Sequence, residues 1–137
     1  TLLCPNEHYV LDARYTGWAQ QNSEAMGSSM QVSHDIQSAY TNADVVYAKS
    51  WGALPYFGNW TEEKPIRDSN QHFIVDETKM ALTNNAVFSH CLPLRRNIKA
   101  TDAVMDSAHC IAIQEAENRL YVQKAIMDCL INHPEIN

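Results

Sequence analysis

The sequence predicts an α/β fold of three layers, αβα, with a mainly parallel sheet. Two observations carry that expectation. Short apolar runs of strand length, at residues 2–4, 43–49, 87–91 and 110–113, alternate with segments whose apolar residues recur at helical spacing. Two of those runs end on polar residues, Lys49 and Cys91. Ligands of parallel α/β sheets sit where strands end and the chain turns outward.

Residues 2–4 are apolar and stopped by Pro5, which reads as a buried strand that begins as if cut from something longer. Residues 11–26 follow as a helix. Leu11, Tyr15, Trp18 and Ala19 recur at helical spacing, Asp12 suits the positive end of the helix dipole, and Gly27 can end it. A short strand around Met30 and Val32 and a brief helix over 35–40 come next. The clearest strand is 43–49, β-branched at its centre. The loop 50–60 then holds two glycines, a proline and four aromatics, so it either packs down on the surface or forms a lid or subsite wall. Residues 61–70 read as polar and exposed. A helix over 75–82 has Asp76 as its N-cap. Asn84 and Asn85 turn the chain into the central strand at Val87. Pro93 forbids further pairing there, having no N–H to donate. Thr101 and Asp102 start a short helix, 110–113 reads as a strand, and 115–130 is the longest helix, with Glu115 and Glu117 in its first turn and Leu120, Ala125 and Ile126 among its apolar positions.

Composition narrows the function. With 137 residues, the chain can bury one real core. Its net charge of -6 argues against general nucleic-acid binding. No apolar run approaches a membrane span, so no membrane partner is expected. Cys4, Cys91, Cys110 and Cys129 are scattered without a C-x-x-C pair, which suits reduced thiols and a cytoplasmic location. The histidines lack the H-E-x-x-H spacing, so no metal is expected. There is no G-x-G-x-x-G, no Walker lysine loop and no G-x-S-x-G elbow, and no cofactor is expected. What remains is a set of cations near strand ends: Lys49, Arg95, Lys99 and Arg119. Such a set fits carboxylate or phosphate ligands. Cys91 alone reads equally well as a buried small hydrophobe.

His90-Cys91-Leu92-Pro93, followed by Glu115-Ala116-Glu117-Asn118-Arg119-Leu120 and Val122-Gln123-Lys124-Ala125, resembles the carbamoyltransferases of the ornithine type. Ala43-Asp44-Val45-Val46-Tyr47 continues the match. Lys49-Ser50-Trp51-Gly52, Leu92-Pro93-Leu94-Arg95-Arg96-Asn97 and Lys99 are most similar to the members that act on N-acetylornithine. The ornithine enzymes carry an aspartate where Lys49 stands and a Ser-Met-Gly loop soon after, and neither is here. Free ornithine has an α-ammonium that wants a carboxylate partner. Acylation makes that group a neutral amide, and the α-carboxylate then favours a cation.

The resemblance implies a Rossmann-like fold and carbamoyl transfer from carbamoyl phosphate to the δ-amine of N-acetylornithine, a step of arginine biosynthesis. Ornithine or N-succinylornithine as acceptor stays open, as does a non-catalytic amino-acid-binding module. It further implies that Cys91 and Leu92 meet the δ-amine and that Arg119 polarises the carbamoyl oxygen, which makes Cys91 and Arg119 the catalytic pair. Lys49 and Arg95 clamp the α-carboxylate, Trp51 lines the site, and Lys99, which can be carboxylated in the acetylornithine enzymes, reaches the acyl group. The family's Ser-x-Arg-Thr and His-Pro-x-Gln motifs for carbamoyl phosphate are absent, and its second domain opens with a strand and helix before the strand that residues 2–4 match. Residues 1–137 are therefore expected to be the back part of the C-terminal, amino-acid-binding domain. The sheet would be incomplete at its N-terminal edge, and the carbamoyl-phosphate domain would be a separate N-terminal unit. Members of the family are usually homotrimers.

Overall fold

Parallel strands joined through helices define the fold of the computed structural model, which describes residues 1–49 and 52–132. The central strand is β4 (Val87–Ser89), because Phe88 at its middle has no exposed surface and anchors the main core. It pairs in parallel with β3 (Val45–Tyr47) in the register Val45↔Val87, Val46↔Phe88 and Tyr47↔Ser89. Side chains alternate along a strand. Val46 and Phe88 therefore face the core with Tyr40, Val75, Ala100 and Val104, while Tyr47 and Ser89 share the opposite face.

A second parallel pair joins β1 (Leu2–Leu3) to β2 (Val32–Ser33). Among the described residues the two pairs share no ladder. A cavity of about 380 Å³ lies between them, lined by Leu2 and Leu3 on one side and by Val45, Val46, Lys49 and Lys99 on the other. The mainly parallel α/β class expected from the sequence holds, with strands shorter than the apolar runs that announced them.

Side-chain caps set where several helices begin. Asp12 accepts the Arg14 amide at the start of α1 (Ala13–Ala25), and Gly27, at φ +67°, ends it. Asp35 accepts two amides at the start of α2 (Ile36–Tyr40). Asp76 caps α4 (Glu77–Met80) and Thr101 caps α5 (Asp102–Met105). The last helix, α6 (Ala112–Asn132), is the longest.

One expectation needs correction. Residues 110–113 form no strand: Cys110 makes one parallel bridge to Phe88, and the chain turns into α6 at Ala112. A short apolar run cannot by itself distinguish a strand from the buried start of a helix. Residues 61–70 are mostly exposed, as expected, with Glu63 buried, and they form most of α3 (Trp60–Ser69), which lacks an apolar stripe and carries Pro65 inside it. Leu11, Tyr15 and Trp18, whose helical spacing marks the α1 segment, are each about half exposed. The same holds for α6, where Leu120, Val122, Ile126 and Leu130 are exposed.

Phe88→Ala should lower the unfolding free energy by about 3–5 kcal/mol, the usual cost of emptying a phenylalanine site in a core. Val45→Ala, on an exposed side chain of the partner strand, should cost less than about 1 kcal/mol, since it empties no core volume. Denaturant unfolding of both variants checks the pair of values.

Candidate functional site

The register of β3 and β4 builds the centre of the site. Lys49 lies two residues beyond Tyr47, and Cys91 two beyond Ser89, so the equal offsets bring both to one face. Ala48 continues the ladder by donating its amide to the Ser89 carbonyl at 3.0 Å. The Lys49 ammonium donates to Cys91 Sγ at 3.1 Å. Lys49 first, and then Tyr47, act as donors to that sulfur and hold the thiol below its ordinary pKa. Tyr47 answers in the opposite sense: its bond to Cys91, burial and Glu115 push its hydroxyl up to about 12.

Glu115 ties these strand ends to α6. Its carboxylate accepts from the Ser89 hydroxyl and from the Tyr47 hydroxyl, the latter at 3.3 Å. The sequence offers Glu115 only as an acidic residue in a first turn, a position the helix dipole already explains. Nothing there signals that it bridges two strands. Arg119 follows one turn later, exposed, and makes no ion pair among the described residues.

Past Ser89 the backbone leaves the sheet abruptly. Leu92 takes φ +48°, a region that non-glycine residues seldom occupy, and its peptide bond to Pro93 is cis. The turn is closed by a side chain: His90, 2% exposed, accepts the Leu92 amide on Nδ1 at 2.9 Å. Burial, then Lys49, hold the His90 pKa below its ordinary value. The Cys91 and Leu92 carbonyls accept no hydrogen bond from the described residues.

The segment after the turn separates its cations. Arg96 is structural: its guanidinium grips Asp106 with both nitrogens, at 2.6 and 3.0 Å, and Asp102 at 2.9 Å. Arg95 is exposed, and Lys99 is 4% exposed. Burial, then the Arg67 and Arg95 guanidiniums, lower the Lys99 pKa to about 8, with Glu63 opposing them. Glu63 and Arg67 come from α3 and went unnoticed in the sequence. Lys49 and Lys99 line the same 380 Å³ cavity, while Cys91, Arg95 and Arg119 do not border it. Trp51 lies outside the described residues. Among the described residues no group of three or more His, Cys, Asp or Glu could hold a metal ion.

This arrangement sets the Lys49 ammonium against a thiol, offers carbonyl acceptors at the β4 turn, and buries the Lys99 amine beside the cavity that Lys49 lines. A family model described as aspartate/ornithine carbamoyltransferase, Asp/Orn binding domain, matches residues 1–130. The chain is 76% identical to the N-acetylornithine carbamoyltransferase of Xanthomonas campestris pv. campestris over 131 residues, covering 96% of this chain and 39% of that relative. A crystal structure of acetylornithine transcarbamylase complexed with acetylcitrulline matches with a TM-score of 0.91 at 76% identity, over 94% of this chain and 39% of that one. A mutant N-acetyl-L-ornithine transcarbamylase complexed with carbamyl phosphate and N-succinyl-L-norvaline matches with a TM-score of 0.92 at 75% identity, over 95% of this chain and 39% of that one. The chain thus spans about two fifths of the length of these relatives.

The Lys99 shift has a definite sign. Unfolding returns its amine from about 8 to its ordinary 10.5, so the unfolded chain binds more protons in between. Stability should therefore rise as pH climbs from about 8 to about 10.5, and the penalty should be fully present below that window. Lys99→Met should flatten the rise and stabilise the protein at pH 7 by on the order of 1–3 kcal/mol. Thermal or denaturant unfolding across that pH range checks it. At the other cation, Lys49→Met should slow alkylation of Cys91 by iodoacetamide at neutral pH, because a lysine donor lowers the thiol pKa. Wild-type Cys91 should react well before Cys4, whose pKa burial raises. Peptide mass spectrometry over time reads both rates.

Proposed function

The chain belongs to the aspartate/ornithine carbamoyltransferase family, matching its amino-acid-binding domain, and from that premise we propose that the protein transfers a carbamoyl group to the δ-amine of N-acetylornithine. The amine nitrogen bonds to the carbonyl carbon of carbamoyl phosphate. The bond from that carbon to the phosphate oxygen breaks, phosphate leaves with its electron pair, and the nitrogen gives up a proton. The products are N-acetylcitrulline and phosphate.

The observation that carries this reading is Lys49 against Cys91 at 3.1 Å, a cation where the ornithine enzymes use an aspartate. The ammonium and Arg95 take the α-carboxylate of an acylated substrate, which has no α-ammonium for an aspartate to meet. The open carbonyls of Cys91 and Leu92 take the δ-amine hydrogens and orient the nitrogen lone pair. Arg119 meets the carbamoyl oxygen as negative charge develops there. Trp51 joins the substrate-binding set on the family resemblance alone. Lys99 faces the acyl group. Its lowered pKa favours the neutral amine, the form that adds carbon dioxide to become a carbamate, and Arg67 and Arg95 supply the positive surroundings such an anion would need.

The rest of the longer protein then contributes an N-terminal domain that brings carbamoyl phosphate, and the assembled enzyme is a cytoplasmic homotrimer. Coverage of 39% of a relative, the slot between β1 and β3 and the exposed apolar side chains of α6 all support this division. No helix of the described residues is long and apolar enough to cross a membrane.

Steady-state kinetics of the full-length enzyme with N-acetylornithine, N-succinylornithine and ornithine tests the reading. Lys49→Ala should raise KM for N-acetylornithine roughly 10- to 100-fold, the worth of one hydrogen bond to a charged group. Lys49→Asp should weaken binding further by repulsion, without creating good ornithine activity. An unchanged KM and kcat in Lys49→Ala would sink the acylated-substrate reading. The 137-residue chain alone should show no carbamoyl transfer.

A further inference from the structure

Helix α3 carries two charge pairs at the same spacing, one residue apart, with opposite fates. Lys64 and Asp68 meet at 2.5 Å with both side chains about half exposed. Glu63 and Arg67 also meet at 2.5 Å, but both are largely buried. A solvated pair of this kind is worth little. A buried one costs desolvation and is strongly destabilising to break, so its presence calls for a reason. The reason lies in what else the pair holds. Glu63 accepts the Ala53 amide at 3.1 Å, in a buried bond. A Cβ on Gly52 would sit 3.5 Å from Glu63 Oε1 and 3.6 Å from Arg67 Nη2, so the backbone of this loop rests on the pair. Arg67 in turn lies over the Trp60 ring, 4.9 Å from its centroid.

The loop so held begins three residues after Lys49, and Gly52 lines the same cavity as Lys49 and Lys99. We propose that the Glu63–Arg67 pair is a positioning element of the substrate site. Glu63 holds the loop at the Ala53 amide, Arg67 keeps that carboxylate in place, and together they set the local field at Lys99, without either residue touching substrate. The inference rests on the acylornithine-binding reading given above. Among the described residues, the charged and titratable groups around Lys99 include Glu63 and Arg67 from α3, Arg95 from its own segment and His90 from the end of β4, and Lys49 lines the same cavity. Glu63 favours the ammonium at Lys99, and both arginines oppose it. The two members of the pair therefore push Lys99 in opposite directions.

That opposition separates a positioning role from a merely structural one. In the full-length enzyme, Glu63→Gln should raise KM for N-acetylornithine about tenfold while kcat changes less than about threefold. Hydrogen exchange at the Ala53 amide should quicken about tenfold. The Lys99 amine, titrated by NMR, should move down in Glu63→Gln and up in Arg67→Gln. Arg67→Lys, which keeps the charge, should restore the Lys99 midpoint. Thermal melting identifies a variant that fails to fold, and Arg67→Lys then carries the comparison. Wild-type KM and wild-type Ala53 exchange in Glu63→Gln would overturn the proposal. So would Lys99 midpoints that shift the same way in Glu63→Gln and Arg67→Gln, which is general loosening. A wild-type enzyme that carbamoylates no acylornithine would instead defeat the functional reading, and exchange at Ala53 would still decide the anchoring.

Discussion

Burial of Phe88 is the constraint on which the site depends. Phe88 has no exposed surface, and its partner Val46 packs against the same core. Because side chains alternate along a strand, sinking that pair forces Tyr47, Ser89, Lys49 and Cys91 to the other face. A slip of one residue would turn every one of them over. The contact of an ammonium with a sulfur is therefore fixed by hydrophobic packing on the reverse side of two three-residue strands. Polar groups this close in an open site would not hold their places by their own attraction, which solvent screens.

The second tie is made by helix α6. Its start is set by the Phe88–Cys110 bridge, after which the chain is committed to a helix at Ala112. That start delivers Glu115 to the Ser89 and Tyr47 hydroxyls and leaves Arg119 one turn further along. Two strands and a helix are thus locked by one carboxylate. Helix α3 does analogous work on the loop that follows Lys49, where Glu63 meets the Ala53 amide. Both carboxylates hold parts together.

What the sequence revealed, and what it hid, follow from how local each signal is. The cap at Asp76 was legible because the side chain bonds an amide three residues on, while Asp12 was legible only as an acid near the helix start. Strands β3 and β4 were legible from β-branched and apolar runs, and Lys49 and Cys91 from their places at strand ends. Helix α3 was not, since a charged segment with an internal proline has neither an apolar period nor good propensity. Within it, Glu63–Arg67 and Lys64–Asp68 are identical in spacing, and only the fold decides which is buried. Residues 110–113 failed for a related reason: four apolar residues carry too little period to separate a strand from a helix start. The apolar residues of α1 and α6 were legible from their helical spacing, and their exposure was not, because spacing alone does not say what covers a face.

The turn after β4 carries a chemical consequence through its histidine. Nδ1 of His90 accepts the Leu92 amide. A neutral imidazole has one nitrogen that accepts and one that bears hydrogen. With Nδ1 engaged, the hydrogen resides on Nε2, and the basic lone pair of the ring is already occupied by the backbone. Protonating His90 would cost that hydrogen bond as well as the burial of a charge, which agrees with its depressed pKa. This histidine, one residue from Cys91, is thereby withdrawn from proton transfer. The ring acts as a fixed tautomer that shapes the backbone, and its lowered pKa favours the neutral form that keeps the turn closed.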